Sequence, residues 1–244
     1  MILRWHETDR QTLGAVLPDA LVVQPVGATE QHGPHLPTGT DALIVGSVAE
    51  AAVERAGGRS ARTLVLAPTL PFGSSDHHFA YGATLSFTPE TMTAALVDLA
   101  RSVAAGGGRR MVLVNGHGGN RGACHAAAAA ASTRHDLPVA YLDYWDLLPA
   151  ADAAAANAPG HAGRFETSVV SSLRPDLVGD LPARDGQPAV PEAPDVSVYA
   201  QAVWLGIDGY TDSPADADAA SGKRWFDALA DALADRLVIL AEVL

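Results

Sequence analysis

The chain of 244 residues contains a single cysteine, Cys124. One cysteine cannot form an internal disulfide, and it excludes the clusters of thiolates that hold structural zinc ions. Cys124 also lies within a predicted helix, so it is a poor candidate for a catalytic nucleophile. Any metal ion that the protein binds must therefore be held by histidines and carboxylates.

Basic residues are also scarce. The chain has 16 lysines and arginines against 28 aspartates and glutamates, which gives a formal net charge of −12. Nucleic-acid binding depends on cationic side chains that meet phosphates, so we expect no nucleic-acid partner. The net charge does not restrict a small-molecule substrate, because a metal ion in a pocket outweighs distant surface charges.

Long apolar runs are missing as well. No segment reaches the roughly 20 apolar residues that a membrane-spanning helix needs. The N-terminal stretch MILRWHETDRQTLGAV carries charges throughout, unlike the apolar core of a signal peptide. Apolar residues still make up 48% of the chain, which is enough for a sizeable core. We therefore expect a cytoplasmic protein with no membrane partner.

Several familiar glycine and serine motifs are absent. The segment GHGGN does not match the dinucleotide fingerprint G-x-G-x-x-G, because Arg121 stands at its sixth position. The chain has no Gly-Lys-Ser/Thr phosphate loop and no serine in a G-x-S-x-G turn. The sequence therefore gives no support to a nucleotide-binding protein or a serine hydrolase.

Short β-branched segments alternate with longer helical patterns. This alternation favours a parallel sheet that is covered by helices on both faces. We predict an α/β fold of three layers, αβα, with a central, mostly parallel sheet in a single domain over residues 1–244. The predicted strands are 20–26, 63–68, 110–116 and 138–143, and the predicted helices are 41–56, 89–105, 120–134, 165–173 and 222–243. Segments 149–163 and 180–198 are predicted to be long loops over a site.

Potential metal-binding side chains follow the predicted strands. Glu30 and His32 follow the first strand, His117 follows the third between glycines, and His161 and Glu166 come after the fourth. In an open sheet, ligands bind at the edge where the carboxyl ends of parallel strands meet. We therefore predict that these residues lie close together at that edge.

Each such residue also has an ordinary structural interpretation. An aspartate at a helix start, such as Asp41, is usually an N-cap. A glutamate in a first helical turn, such as Glu166, usually compensates the helix dipole, and a histidine between glycines, such as His117, is usually a hydrogen-bonded turn residue. These interpretations do not explain why all of these residues share one edge of the sheet. Together, the residues favour a metal site.

Four segments of the sequence together resemble the creatininase family of creatinine amidohydrolases: PVGATEQHGPHLPTGTDA, GSSDHHFAYGATLSF, VNGHGGN and HAGRFETS. They occur in the order of that family and span roughly residues 24–175. The resemblance implies an α/β fold, a site for two divalent ions, Zn²⁺ or Mn²⁺ with Fe²⁺ as an alternative, and usually a homohexamer. It also implies hydrolysis of a C–N bond in a small cyclic or linear amide, such as a lactam or a formamide.

The resemblance assigns roles to individual residues. Asp41 matches the carboxylate that bridges the two ions, and His161 matches the histidine that transfers a proton. The full set of metal ligands implied by the resemblance is Glu30, His32, Asp41, His117 and Glu166.

Gly118 and Gly119 depart from the family pattern. Well-studied creatininases carry Tyr and then a ligand Glu directly after Asn-Gly-His, where this chain has two glycines. The missing carboxylate must come from Glu166, as in other branches of the family. The missing Tyr touches creatinine in those enzymes, so creatinine itself is not the expected substrate.

The implied chemistry agrees with these residue types. Two divalent ions about 3.5–4 Å apart can share a water molecule, lower its pKa toward about 7 and present it as a bridging hydroxide. One ion also polarises the substrate carbonyl. The leaving nitrogen then needs a proton, and the imidazole of His161 is suited to supply it.

Other residues near the motifs receive secondary roles. Ser75 and His78 are predicted to contact substrate, although His78 could instead orient a ligand. His35 is predicted to brace the ligand loop, and Arg164 is a candidate for binding an anionic group of the substrate. The aromatic pair at 144–145 either lines the pocket or packs in the core. His6, His125 and His135 are predicted to be structural or surface residues.

Three functions are consistent with the sequence. The first is a metal-dependent amidohydrolase that acts on a small molecule. The second is a peptidase like those relatives that trim a precursor peptide during the maturation of a redox cofactor, of which mycofactocin is the example. Those relatives tend to carry Gly-Glu-His where this chain has Asp-His-His at 76–78, which argues mildly against that role. The third is a non-catalytic binding or assembly subunit, which would have no physical reason to keep several carboxylates together.

Overall fold

A computed structural model describes residues 1–183 and 201–244. Most of the predicted loop at 180–198 lies outside these residues. The described part of the chain forms one five-stranded sheet in which all neighbouring strands are parallel. The strands are β1 (Ile2–Arg4), β2 (Leu21–Val26), β3 (Leu64–Leu66), β4 (Met111–Asn115) and β5 (Val139–Asp143), in the spatial order β1-β3-β2-β4-β5.

Helices cover both faces of the sheet. One face is covered by α2, α6 and α8, which pack around Ile44, Phe165 and Trp225. The other face is covered by α1, α3 and α4, which pack around Met92 and Leu96. The helices are α1 (Arg10–Val16), α2 (Thr40–Ala56), α3 (Pro89–Ala105), α4 (Arg121–His135), α5 (Ala150–Ala156), α6 (Arg164–Leu173), α7 (Gln201–Gly206) and α8 (Ala219–Val243). The predicted three-layer α/β fold is confirmed.

The central strands are buried over their whole length. Every residue of β2 and β4 is buried, since helices cover both faces of these strands. This explains why their apolar segments are continuous rather than alternating. The four predicted strands and five predicted helices are all present, with ends that differ by a few residues at most.

Four helices and strands were not predicted, namely β1, α1, α5 and α7. The strand β1 has only three residues, too few to show a periodic pattern, and it pairs with β3 alone at the edge of the sheet. The short helix α1 begins at the cap residue Asp9, whose carboxylate accepts hydrogen bonds from the backbone of Gln11 and Thr12. The prediction of a loop across 149–163 is wrong for α5, because the sequence AADAAAA has a high intrinsic helix propensity.

None of the helices in the two described ranges combines the length and the hydropathy that crossing a membrane requires. The longest of them, α8, has 25 residues. Its apolar residues, such as Leu229 and Leu233, are buried against α2 and α6, and its outward face carries charged side chains. The helix therefore closes one layer of the domain.

Helices α6 and α8 approach closely at Gly222. A Cβ atom at this position would lie 1.9 Å from the carbonyl oxygen of Ser168 in α6, so only glycine fits without moving a backbone. Gly14 in α1 is a suitable comparison, because a Cβ atom there would have no atom within 4 Å.

We predict that Gly222→Ala lowers the free energy of unfolding by about 1–3 kcal/mol, since α6 must shift to admit the methyl group. Gly14→Ala should raise it by about 0.5–1 kcal/mol, because alanine is the better helix former. Chemical denaturation followed by circular dichroism measures both values. Equal effects of the two substitutions would contradict the close approach of α6 and α8.

Candidate metal centre

The predicted ligands come from four parts of the fold that meet at the carboxyl edge of the sheet. Glu30 and His32 lie in the loop after β2, and His117 follows β4 directly. Asp41 and Glu166 each lie in the first turn of a helix, α2 and α6 respectively. All five side chains are buried, with no more than 6% of any residue exposed. The structure thus brings together residues as far apart in the chain as Glu30 and Glu166, which are separated by 136 positions (166 − 30).

Asp41 occupies the centre of the cluster. Its Oδ1 lies 3.2 Å from Nε2 of His32, and its Oδ2 lies 3.2 Å from Nδ1 of His117. It does not cap its helix, since the N-cap of α2 is Gly39 and no side chain caps that end. The N-cap interpretation of Asp41 is therefore wrong, and each of its oxygens faces a different histidine, as a bridging ligand requires.

Glu30 and Glu166 complete the cluster on opposite sides. Oε2 of Glu30 lies 3.2 Å from Nε2 of His117, and Oε2 of Glu166 lies 3.8 Å from Nε2 of His32. Three groups of residues could each hold a metal ion, because the donor atoms within each group lie within 4.8 Å of one another. These groups are His32, Asp41 and Glu166; Glu30, His77 and His117; and Glu30, His32 and His161.

The cluster contains buried carboxylate oxygens that receive no hydrogen bond. They are both oxygens of Glu30 and Oδ2 of Asp41. In the described ranges, 1–183 and 201–244, no lysine or arginine forms an ion pair with Glu30, Asp41 or Glu166. Burying a carboxylate without a partner is costly. The three carboxylates therefore fit a centre whose missing partners are divalent cations.

The charges of the cluster shift the pKa values of its members. Burial opposes a charge on His32 and His117, but the carboxylates of Asp41 and Glu30 raise both pKa values well above the ordinary value. Burial also opposes a charge on Glu30, but the facing His117 lowers its pKa. The pKa of Glu166 is raised by burial. The carboxylates thus favour a positive charge at the centre, carried by either a proton or a metal ion.

His161 lies beside the cluster as a neutral imidazole. Its Nδ1 is 3.4 Å from Oε1 of Glu30, and its ring is 4.4 Å from the ring of His32. Burial, together with the nearby positive charge on His32, lowers the pKa of His161 well below its ordinary value. The structure therefore places the predicted proton-transfer residue within reach of the carboxylates without making it part of an ion pair.

Gln31 was missed in the sequence and organises this side of the site. Its amide nitrogen lies 3.0 Å from Nε2 of His161, 2.9 Å from Nδ1 of His78 and 2.9 Å from the carbonyl of Gly209. Its Oε1 accepts a hydrogen bond from the backbone of Gly33. No motif signals this role. Gln31 stands between the predicted ligands Glu30 and His32, and in an extended chain its side chain would point away from theirs.

His77 and Trp204 were also missed. The ring of His77 is parallel to that of His117, with centroids 5.7 Å apart and an interplanar angle of 5°. Trp204 packs against His78 and His161 with centroid distances of 4.5 and 5.1 Å. The adjacent histidines in the segment DHH could have drawn attention to His77, whereas Trp204 belongs to no motif.

Ser75 and His78 lie in the site, but against the protein's own groups. Oγ of Ser75 is 3.2 Å from Nε2 of His117. His78 is fully buried, and its Nε2 is 3.4 Å from Oε1 of Glu30. The position of His78 agrees with the alternative that it orients a metal ligand. Contact of Ser75 or His78 with substrate stays a prediction.

His35 and Arg164, to which the sequence assigned secondary roles, make different contacts in the structure. Nε2 of His35 lies 2.9 Å from Oγ1 of Thr167, so His35 links the ligand loop to α6. Burial and the charge of His32 lower the pKa of His35 to about 4. The guanidinium of Arg164 donates to the carbonyl of Ala155 and lies over the ring of Trp225, which directs it toward α5 and α8 instead of the metal cluster.

The aromatic pair at 144–145 packs in the core. Tyr144 and Trp145 are 2% and 5% exposed, and both belong to the apolar cluster that contains Phe165. Tyr144 stacks on Phe165 with a centroid distance of 6.4 Å. Core packing, one of the two predicted alternatives, is therefore the role that the structure gives this pair.

Separate hydrogen bonds hold the ligands His117 and Glu166. The Asn115 side chain accepts a hydrogen bond from the backbone N–H of His117 and donates to Asp143, which also accepts one from Arg121. The backbone N–H of Ala162 donates to Oε2 of Glu166. These contacts fix the backbone of His117 and the side chain of Glu166 on the rim before any ion binds.

Comparison with known proteins identifies the family. The creatinine amidohydrolase family model, Creatininase, matches residues 5–237. The chain belongs to the creatininase family. It is 38% identical over 240 residues to the mycofactocin precursor peptide peptidase of Mycolicibacterium smegmatis, with 94% of this chain and 88% of the relative covered. It is 31% identical to the creatinine amidohydrolase of Pseudomonas putida, with 72% of each chain covered. A crystal structure of creatinine amidohydrolase shares its fold with a TM-score of 0.81 and 28% identity over 96% of both chains.

The structure explains why Gly119 cannot be the family's ligand glutamate here. A Cβ atom at Gly119 would lie 2.2 Å from the carbonyl oxygen of Ser74 and 2.5 Å from Nε2 of His117. No side chain can therefore start from this backbone position. The cluster's third carboxylate is that of Glu166, in agreement with the expectation from the sequence.

We predict that Asp41→Ala binds neither ion, because this side chain faces both histidines and would bridge both metals. The metal content of protein purified without chelator, measured by plasma mass spectrometry, tests this. Asp98→Ala is the matched control, since Asp98 is an exposed aspartate whose one ion pair within residues 1–183 and 201–244 is with Arg101. Retention of two equivalents of metal in Asp41→Ala would contradict the bridging role.

Proposed function

We propose that this protein is a metal-dependent peptidase that hydrolyses a peptide bond in a short precursor peptide. The observation that carries the proposal is the similarity to the mycofactocin precursor peptide peptidase, which is higher in identity and covers more of the chain than the similarity to creatinine amidohydrolase. Both activities cleave a C–N bond of an amide, so the same metal centre serves either substrate.

The surroundings of His117 support a peptide substrate. A Cβ atom at Gly118 would have no atom within 4 Å, so there is open space next to this ligand. Creatininases place a tyrosine at this position, where it contacts creatinine. Its replacement by glycine removes a wall that suits a small ring and leaves room for an extended chain.

We propose that the protein's own residues hold two divalent ions per subunit. Glu30 and His117 would bind one ion, His32 and Glu166 the other, and Asp41 both. When bound, the ions would activate a water molecule for attack and polarise the scissile carbonyl. Creatininase structures similar to this chain include a manganese form and a Zn–Zn form, which supports Mn²⁺ or Zn²⁺ as the ions.

His161 would supply the proton that the leaving nitrogen needs. Nε2 of His161 lies 3.0 Å from the backbone carbonyl of Gln31, which accepts its hydrogen bond, so the ring proton is held at Nε2 and Nδ1, which faces Glu30 and the cluster, is free to accept a proton. Burial keeps this imidazole neutral, a form that can take a proton from the attacking water and pass it to the amine. Gln31 thus orients the ring without competing for the proton that is transferred.

The solution state of the enzyme is a further part of the proposal. The resemblance to creatininases implies a homohexamer. Light scattering coupled to size-exclusion chromatography measures the mass directly, and a hexamer of the 25.2 kDa chain is expected. A monomer of the same mass as the chain would contradict this assembly.

The substrate class is tested with matched panels. Protein reconstituted with Zn²⁺ or Mn²⁺ should cleave members of a panel of synthetic peptides, detected by mass spectrometry, and should not hydrolyse creatinine. The other candidate function is a small-molecule amidohydrolase, which the fold shared with creatinine amidohydrolase favours. A second panel, of lactams and formamides, tests it. Turnover of that panel alone would overturn the peptidase proposal. Chelated protein and Asp41→Ala are the controls for metal dependence.

We predict that His161→Ala retains both metals and loses about 10²–10⁴-fold in kcat, because it removes the proton donor and no ligand. The loss should be smaller for substrates with a good leaving group, such as an activated anilide, which needs less protonation. An equal loss for anilide and peptide substrates would contradict the proton-transfer role, and loss of a metal ion would identify His161 as a ligand.

A further inference from the structure

We propose that His77 is an additional metal ligand, which binds, together with Glu30 and His117, one of the two ions of the centre. The inference extends the metal centre proposed above and rests on it. One donor atom from each of these three residues lies within 4.8 Å of the other two, which is the spacing that a single ion can span.

The ring nitrogens of His77 are available to an ion. In the described ranges of the chain, the His77 side chain forms no hydrogen bond with another residue. The carboxylate of Glu30 is equally free of hydrogen bonds, although it is completely buried. Two neighbouring groups with unused donor atoms, one of them a buried anion, are the expected state of a ligand pair.

The backbone of Gly119 leaves a space between the two imidazoles. A Cβ atom on Gly119 would lie 2.5 Å from Nε2 of His117 and 3.1 Å from Cε1 of His77. The rings are parallel and 5.7 Å apart, so any side chain at residue 119 would enter the region between them. The glycine therefore keeps open the volume that an ion would share with both rings.

The resulting ligand sets are chemically different. One ion would be bound by His77, His117, Glu30 and the bridging Asp41, two imidazoles and two carboxylates of the kinds that zinc accepts, and the activated water would make this ion five-coordinate. The other would have a single imidazole, that of His32, with Asp41 and Glu166. The first position should therefore bind zinc more tightly, and His77 should affect that ion alone.

His77 also packs against other rings, and the test must separate packing from ligation. Its ring lies 4.2 Å from that of His78 and 5.4 Å from that of Trp204. His77→Phe keeps an aromatic ring of similar size and removes both donor atoms. His77→Glu restores a donor atom but not the ring. His125→Phe is the matched control, because His125 packs against Tyr141 and belongs to none of the groups of donor atoms that could hold a metal ion.

The experiment measures zinc affinity by competition with a chromophoric chelator. We expect His77→Phe to retain one ion and to bind the other at least about 100-fold more weakly, which exceeds the loss that residues behind the ligands usually cause. His77→Glu should recover most of that affinity, and His125→Phe should bind both ions like the wild type. The Co²⁺-substituted protein should show a changed ligand-field spectrum in His77→Phe.

The outcomes separate this inference from the function on which it rests. If His77→Phe binds two ions with unchanged affinity, His77 is a packing residue and the metal centre still stands. If the wild type binds no metal, the proposed function itself fails. If His77→Phe does not fold, the test compares the exchangeable imidazole signals in the NMR spectra of wild type and His77→Glu, each loaded with Co²⁺. A signal that His77→Glu lacks supports the proposal, and identical signals in both proteins contradict it.

Discussion

The structure depends on the burial of three carboxylates that face histidines but no lysine or arginine of the described residues. These buried carboxylates are those of Glu30, Asp41 and Glu166, which converge at one point. Such an arrangement is unfavourable without bound cations. The fold therefore accepts a local cost in stability, and it recovers that free energy when metal binds to the folded state.

The sheet topology makes this convergence possible. Strands β2 and β4 are neighbours in the centre of the sheet, so the loops that carry Glu30 and His117 leave the same edge side by side. Helix α2 starts at that edge and presents Asp41 between the two histidines. Because the strands are parallel and buried on both faces, their ends are rigid, and a cluster held at those ends keeps its geometry.

The sequence was sufficient to predict the parts of the fold and site that depend on local patterns. Buried strands leave continuous apolar segments, and Glu30 and His32 are two positions apart in one loop. Gln31 and His77 escaped prediction because their roles arise from contacts between loops that are distant in the chain. The position of Asp41 alone suggested a cap, whereas the resemblance to creatininases made it a metal ligand. The packed structure adds its two histidine neighbours.

The two glycines after His117 connect the chemistry of the centre with the choice of substrate. Gly118 leaves open space where a larger residue would form a wall, and Gly119 leaves the gap between His77 and His117. A change at these two positions therefore alters the shape of the substrate site and the set of available ligands together. Since neither position supplies Asp41 or His161, the proposed C–N bond cleavage can be retained while the substrate changes.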